Sequence, residues 1–199
     1  MELVLASDSP RRRQLLSQLR TQFSCKPSAI EEQQQAGETA SDYVQRLALD
    51  KATAVAKQQA ELSIIIGSDT LIDFNGSVLE KPIDKEHFLS MLMRLSGRQH
   101  KVRTSVAVVA GCVDGLLQQT VTEVVTEIDF GDISLADAET YWATGEPADK
   151  AGGYAIQGGA ARFVKAINGS YTGVVGLPLY ETQQLLTRVE NELRSHDGC

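Results

Sequence analysis

The stretch Leu3-Val-Leu-Ala-Ser-Asp-Ser-Pro-Arg-Arg-Arg-Gln-Leu-Leu16 is the most informative about the fold, because it predicts a buried strand that runs directly into a helix. The strand is the short apolar run at its beginning. Ser9 can cap the helix, and Pro10 suits its first position, where a backbone N–H would otherwise lack a partner. A strand followed at once by a helix is a building unit of α/β folds.

The rest of the chain repeats this alternation and adds hairpins. Apolar runs bounded by turn residues predict further strands, at residues 62–66, 71–74, 78–79, 102–110, 116–130 and 162–167. Apolar residues at helical spacing predict helices, at residues 39–60, from 84 to near 97, at 134–142 and from 178 onward. Asn75-Gly76 and Asp114-Gly115 predict tight turns between strands. We therefore expect a mixed sheet with flanking helices.

Length and charge restrict the function. A chain of 199 residues that is 42% hydrophobic and 23% charged suits one globular α/β domain over residues 1–199. The net charge of −7 argues against a nucleic-acid partner, because such proteins use Lys and Arg to neutralise phosphates. A small anionic substrate stays compatible with this charge, since a local cationic cleft can attract it.

The chain shows no membrane or secretion pattern. Its N-terminal apolar run precedes the arginines, which is the reverse of a secretory signal. No apolar run approaches the roughly 20 residues that span a bilayer. The cysteines at positions 25, 112 and 199 are odd in number and far apart, which argues against a disulfide framework and a zinc site. We therefore expect a cytoplasmic protein without a membrane partner.

Arginines 11–13 lie in the first turn of the predicted helix, where the positive end of the helix dipole disfavours them. Unpaired N–H groups at a helix start bind anions, and guanidinium groups bind phosphate oxygens in pairs. A bound phosphate chain would therefore resolve the conflict. A solvated basic helix face is the alternative.

Asp69 lies in Gly67-Ser-Asp-Thr70, directly after a predicted buried strand. A carboxylate at the end of a sheet strand can bind a divalent metal or accept a proton from water. The alternative is an aspartate that only closes the strand with a turn. Lys81, after the hairpin, and Lys51, in an alanine-rich helix, offer point charges for a phosphate or are ordinary surface lysines.

Two further segments carry polar groups that suit a nucleotide. Glu31 and Glu32 form an acidic pair that is either solvated or supplies a metal ligand. The stretch Lys150-Ala-Gly-Gly-Tyr-Ala-Ile-Gln-Gly-Gly159 lets backbone approach a ligand closely, and the Gln157 amide suits the edge of a base. Together with the arginines and lysines, these residues indicate metal-assisted phosphoryl chemistry, without identifying the bond that breaks.

These segments together resemble the Maf family of nucleotide pyrophosphatases. The resemblance rests on residues 5–12, 67–70, 80–82, 95–98, 149–158, 169–171 and 174–178, which occur in the order of the family and extend over nearly the whole chain. It implies a Maf/inosine-triphosphatase-like α/β fold with a long mixed sheet and a cleft between two lobes. It also implies hydrolysis between the α and β phosphates of a nucleoside triphosphate, with Mg²⁺ or Mn²⁺ as cofactor.

The resemblance also implies roles for individual residues. Asp69 resembles the catalytic proton acceptor, and Asp69 and Glu32 resemble metal-holding acids, with Glu31 as an alternative to Glu32. The residues that resemble phosphate-holding groups are Ser7, Arg12, Lys51 and Lys81. The family further suggests a homodimer, although the sequence shows no interface pattern of its own.

Arg11, Thr70 and Gln157 are similar to the branch of the family that acts on dTTP and UTP. The branch that acts on 7-methyl-GTP typically has a tryptophan and a glutamate in place of Arg11 and Gln157, which would stack on a methylated purine and accept from guanine. The chain departs from many relatives at Ser68, Gly153 and Arg13, outside these three positions. Two alternatives stay open: the preferred pyrimidine among dTTP, UTP, CTP and modified bases, and a regulatory nucleotide-binding protein without turnover.

Overall fold

The computed structural model describes residues 1–196 and shows, over that range, a seven-stranded mixed sheet with helices on both faces. The strands are β1 Glu2–Leu5, β2 Ser24–Cys25, β3 Ser63–Phe74, β4 Ser77–Leu79, β5 Gln99–Cys112, β6 Gly115–Phe130 and β7 Val164–Asn168. The helices are α1 Pro10–Leu16, α2 Ala40–Ala56, α3 Lys85–Leu95, α4 Leu135–Trp142, α5 Tyr171–Val175 and α6 Leu179–His196. The predicted α/β fold with a long mixed sheet and flanking helices is confirmed. Cys199 lies outside the described residues.

Side-chain caps explain why the helices begin where the sequence predicts. The side chains of Ser9, Thr39, Asp84 and Ser134 each accept a hydrogen bond from a backbone N–H three residues further on. Such a bond satisfies one of the unpaired donors of the first turn. The helix predicted at residues 39–60 ends earlier, at Ala56, while β2 and α5 were not predicted.

The prediction of separate strands at residues 62–66 and 71–74 is wrong. Residues 63–74 form one strand, β3, so Asp69 lies inside a strand and neither follows one nor closes it with a turn. The reason is the neighbouring strand β5, which pairs with β3 from Ser63↔Gly111 to Asp73↔Lys101 without a break. Pairing along one whole edge keeps the polar residues 67–70 extended although they interrupt the apolar pattern.

The other edge of β3 contains a gap. The parallel strand β1 pairs with residues 63–66 of β3, and the antiparallel strand β4 pairs with residues 72–74. Because β5 occupies the opposite edge over both ranges, β1 and β4 share this edge and leave residues 67–71 between them without a neighbouring strand. Side chains from both faces of the sheet can therefore meet at this gap.

Helix α2 covers one face of the sheet, where its alanines pack on residues such as Ile65 and Val109. The other face carries the larger core, which includes side chains of α1, α3, α4 and α6. Successive residues of a strand point to opposite faces, so Asp69 faces α2 and Thr70 faces the larger core. A Cβ at Gly67 would overlap the backbone of α2, and its absence lets this helix approach β3 closely.

Among residues 1–196, no helix combines the length and the apolar character that crossing a bilayer requires.

Candidate active site

The gap beside β3 opens into a cavity of about 460 Å³. Its walls come from the β1–α1 connection, residue 32, α2, β3, residue 81, β5, the loop at residues 149–157 and the end of α5. The cavity brings together eight of the nine residues that the sequence analysis assigned to the site: Arg11, Arg12, Glu32, Lys51, Asp69, Thr70, Lys81 and Gln157. Segments far apart in the sequence thus converge on a single space.

Two carboxylates share one ammonium group in this cavity. Lys51 Nζ lies 2.6 Å from Asp69 Oδ1 and 2.8 Å from Glu32 Oε1. Lys51 is only 5% exposed and Asp69 only 7% exposed, so this ion pair lies in a region shielded from water, where an unpaired charge would be costly. Helix α2 and strand β3 therefore fix the Asp69 carboxylate in one orientation.

The structure brings Glu32, and not Glu31, to the cavity. Partial burial by itself would raise the pKa of Glu32, but the hydrogen bond and the charge of Lys51 outweigh it and hold that pKa below its usual range. The charges of Lys81 and Arg12 act in the same direction. Glu32 is therefore an anion at neutral pH that lies among cations.

Arg12 is held from two sides. Its Nε donates a 2.9 Å hydrogen bond to the carbonyl of Gly176, and its Nη1 lies 3.5 Å from the hydroxyl of Ser7. Burial lowers the pKa of Arg12 below its ordinary value, while the charges of Asp69 and Glu32 oppose the shift. The guanidinium stays protonated at neutral pH, because arginine keeps its proton in proteins.

Ser7 is the predicted site residue that does not line the cavity. Its hydroxyl accepts a 3.1 Å hydrogen bond from the backbone N–H of Ser9 and lies 3.5 Å from Arg12 Nη1. The exposed Arg13 also lies away from the cavity. Of the three consecutive arginines, 11 and 12 contribute to the site and 13 does not.

Hydroxyl groups tie α5 to the sheet below the cavity. Ser68 Oγ lies 2.8 Å from the carbonyl of Ser105 and 3.0 Å from that of Gly176, the same carbonyl that accepts from Arg12. Thr104 Oγ1 lies 2.8 Å from the carbonyl of Gly173 and 3.1 Å from Thr70 Oγ1. The unpredicted helix α5 thereby positions both Arg12 and Thr70.

Two chemically different groups of side chains line the cavity, and they are named by their chemistry. The ionic side consists of Arg12, Glu32, Lys51, Asp69 and Lys81. The apolar side consists of Ile72, Val102, Tyr154, Ile156, Val174 and Val175. Gln157 belongs to the same loop as Tyr154 and Ile156, and it also lines the cavity.

A buried histidine supports the apolar side. His100 Nε2 lies 2.7 Å from the hydroxyl of Tyr154, and the His100 ring packs edge-on against Tyr154 and Phe130. Burial lowers the pKa of His100 to about 4. The imidazole is therefore neutral at pH 7 and serves as a hydrogen-bonding support within the core.

Several lining residues were not assigned from the sequence. They include the charged residues Asp8, Asp149 and Lys150 and the whole apolar side. Lys150 lies in the glycine-rich stretch that was already singled out, and it pairs with Asp149. The apolar residues carry no sequence signal of their own, because a valine facing a cavity looks like any core valine. Among residues 1–196, five cationic and four anionic side chains line the cavity.

Asp69 and Glu32 suit a metal ion that binds together with a phosphate ligand. Among residues 1–196, no three His, Cys, Asp or Glu side chains form a group that could hold a metal by themselves. Mg²⁺ is commonly bound by one or two carboxylates together with substrate phosphates. Asp69 and Glu32 match this pattern, and the small excess of cations in the lining is far below the charge of a triphosphate.

The family model of Maf-like proteins matches residues 2–189. The dTTP/UTP pyrophosphatase of Idiomarina loihiensis is 51% identical over 190 residues, which cover 96% of each chain. That of Vibrio cholerae is 49% identical over 185 residues, covering 93% of this chain and 96% of the relative. A solved HAM1 protein from Coxiella burnetii aligns over 65% of this chain and 73% of its own, with 15% identity and a TM-score of 0.45.

Proposed function

The chain belongs to the Maf family, and from this premise we propose that it hydrolyses dTTP and UTP to the nucleoside monophosphate and pyrophosphate. The observation that carries the proposal is the convergence of Asp69 with the cations Arg12, Lys51 and Lys81 in one cavity. A carboxylate and several cations around a shared space are what the cleavage of a phosphoanhydride requires.

Asp69 is the proposed proton acceptor. Within residues 1–196, the hydrogen bonds of its side chain use only Oδ1, which accepts from Lys51. The second oxygen, Oδ2, can therefore accept a proton from the attacking water. Lys51 fixes the carboxylate and keeps a positive charge beside the phosphates. The two groups act as a unit, so that the loss of either disturbs the other.

Arg11, Arg12 and Lys81 are the proposed phosphate-binding residues. Negative charge develops on the leaving pyrophosphate as the bond between the α and β phosphates breaks, and fixed cations stabilise it. The hydrogen bond to Gly176 orients Arg12, so its two terminal nitrogens can bind phosphate oxygens. Ser7 acts indirectly in this proposal, through its contact with Arg12.

Asp69 and Glu32 are the proposed ligands of a divalent cation, Mg²⁺ or Mn²⁺. When bound, such a cation would neutralise part of the phosphate charge. The excess of cations over anions in the cavity lining is one, which supports a requirement for additional positive charge. The low pKa of Glu32 keeps this carboxylate ionised and able to bind a cation.

The proposed pyrimidine selection rests on Arg11, Thr70 and Gln157, which all line the cavity. The Gln157 amide has both a donor and an acceptor, which matches the mixed edge of thymine or uracil. The apolar side offers a surface for the flat base. We further propose that the chain forms a single domain and acts on free nucleotides in the cytoplasm. We also propose that it forms a homodimer in solution.

The test is a substrate panel with purified protein and Mg²⁺ or Mn²⁺. We expect release of pyrophosphate and monophosphate from dTTP and UTP, with little release from purine triphosphates and 7-methyl-GTP. Product analysis by chromatography distinguishes pyrophosphate release from the release of single phosphates. Tight binding of dTTP without turnover would contradict the proposal and favour a regulatory nucleotide-binding protein.

A further inference from the structure

A tyrosine and a glutamate hold the loop that carries Gln157. Tyr141 OH lies 2.5 Å from Glu146 Oε1 and accepts a 3.0 Å hydrogen bond from the backbone N–H of Ala155. The two oxygens of Glu146 lie 3.1 and 3.2 Å from the backbone N of Gly159. The pair therefore binds the backbone two residues before Gln157 and two residues after it.

The backbone between these two points is tightly constrained. The N–H of Gly158 donates a 3.0 Å hydrogen bond to the carbonyl of Ala155, which closes a turn around Gln157. The Cα of Gly158 packs so closely on the Glu146 carboxylate that a Cβ there would overlap it. These contacts thus constrain the backbone on both sides of Gln157.

The anchor itself is fixed in the core. Tyr141 is almost fully buried, and its ring packs against Phe88 and Phe163. Burial, and then the hydrogen bond to Glu146, raise the pKa of Tyr141 far above its ordinary value, so its hydroxyl keeps the proton that it donates. Because Tyr141 is fixed in the core on helix α4, its hydrogen bond to Ala155 holds the loop in a fixed position.

We propose that Tyr141 and Glu146 are positioning residues for base selection, because they fix the turn that presents Gln157 to the cavity. This inference rests on the proposed nucleotide-binding function and deepens it. Neither side chain lines the cavity, so both act on the ligand only through the backbone of residues 155–159. Loosening this turn should weaken recognition of the base and leave the phosphate-binding residues unchanged.

The test separates the base from the phosphates by using two ligands, dTMP and inorganic tripolyphosphate, with binding measured by calorimetry. For Tyr141→Phe we expect about five- to tenfold weaker binding of dTMP, the equivalent of one lost hydrogen bond, and unchanged binding of tripolyphosphate. The matched control is Tyr180→Phe, at an exposed position on α6, for which both affinities should stay at the wild-type value.

A second pair of variants keeps the test independent of Tyr141. Glu146→Ala removes both acceptors, while Glu146→Gln keeps one oxygen that can accept from Gly159 and Tyr141. We expect weaker dTMP binding for the first variant and recovery of most of the affinity for the second. Equal losses for both ligands, or wild-type dTMP binding in folded Tyr141→Phe and Glu146→Ala, would overturn the inference.

The experiment also distinguishes this inference from the proposed hydrolysis. Binding of dTMP and tripolyphosphate requires no turnover, so an inactive wild-type protein would contradict the proposed hydrolysis alone. In an active protein, the ratio of kcat/KM for dTTP to that for GTP should fall in Tyr141→Phe through a higher KM for dTTP. An unchanged ratio would count against the positioning role while leaving the hydrolysis intact.

Discussion

The Lys51–Asp69 ion pair and the loop that carries Gln157 are held in the cavity by different means. Ionic groups such as Lys51 and Asp69 project from a regular helix and strand, and a short ion pair joins them. The loop at residues 150–159, which carries Tyr154 and Gln157, consists of turns and short 3₁₀ segments. Side-chain hydrogen bonds from the core, by Tyr141, Glu146 and His100, hold this loop in place.

Because of this difference, the residues proposed for hydrolysis and the residue proposed for base selection are held by separate parts of the structure. Helix α2 and strand β3 belong to the core of the fold. Substitutions of the charged residues that they carry can therefore affect both the reaction and the stability of the protein. An irregular loop held by individual hydrogen bonds can change one contact at a time. Substitutions in the two parts should therefore differ in their effects, from a large loss of turnover to a small change in base selectivity.

The largest effect is expected for Asp69→Asn, which tests the ionic side. Loss of the proton acceptor should reduce kcat by about a thousandfold. The matched control is Asp73→Asn, on the same strand and face, where the carboxylate binds Arg103 and the N–H of Gly76 away from the cavity lining. The control should lose about 1–3 kcal/mol of stability and keep its kcat. Near-wild-type turnover by Asp69→Asn would remove Asp69 from its proposed role.

The next effect concerns His100 and the stability of the apolar side. An unfolded histidine gains a proton near pH 6.5, whereas His100 in the folded protein gains one only near pH 4. Between these values the unfolded state binds more protons, so the free energy of unfolding should fall by about 3 kcal/mol as the pH drops. Urea titrations from pH 7 to 4 should show this decline in the wild type and a shallower one in His100→Gln. Parallel curves would show that His100 does not carry the effect.

Arg12→Lys tests how strictly the ionic side depends on orientation. Lysine keeps the charge but loses the Nε donor to the Gly176 carbonyl and the paired contact with phosphate. We expect kcat/KM for dTTP to fall about 10- to 100-fold, in line with lost hydrogen bonds to a charged group. The exposed neighbour Arg13→Lys is the matched control and should stay within about twofold. Similar values for both variants would contradict the assigned contact.

The smallest effect is expected for Gln157→Glu, which changes one contact of the adjustable loop. A carboxylate cannot donate to the base, so the ratio of dTTP to 7-methyl-GTP hydrolysis should fall about tenfold while kcat changes little. The control Gln119→Glu, at an exposed position on β6 outside the cavity lining, should leave the ratio unchanged. If Gln157→Glu leaves the ratio unchanged as well, the loop does not select the base in the proposed way.

Local signals explain which parts of the fold could be predicted. The starts of four helices could be predicted from their capping residues, because a cap depends on a contact only three residues away. These residues are Ser9, Thr39, Asp84 and Ser134. The Asn75-Gly76 turn likewise connects β3 and β4 as predicted. By contrast, the continuity of β3 through residues 67–70 depends on pairing with β5, more than thirty residues later, which no local pattern contains.

The residue types of the site are readable from the sequence: arginines at a capped helix start, an aspartate beside a buried strand, and a glutamine among glycines. Only folding leaves a gap between β1 and β4 beside Asp69, brings Glu32 and not Glu31 to Lys51, and places Ser7 in contact with Arg12. The two kinds of feature differ in their range along the chain. Capping and turn preferences act over a few residues, whereas an ion pair or a strand edge joins segments whose separation along the chain only folding removes.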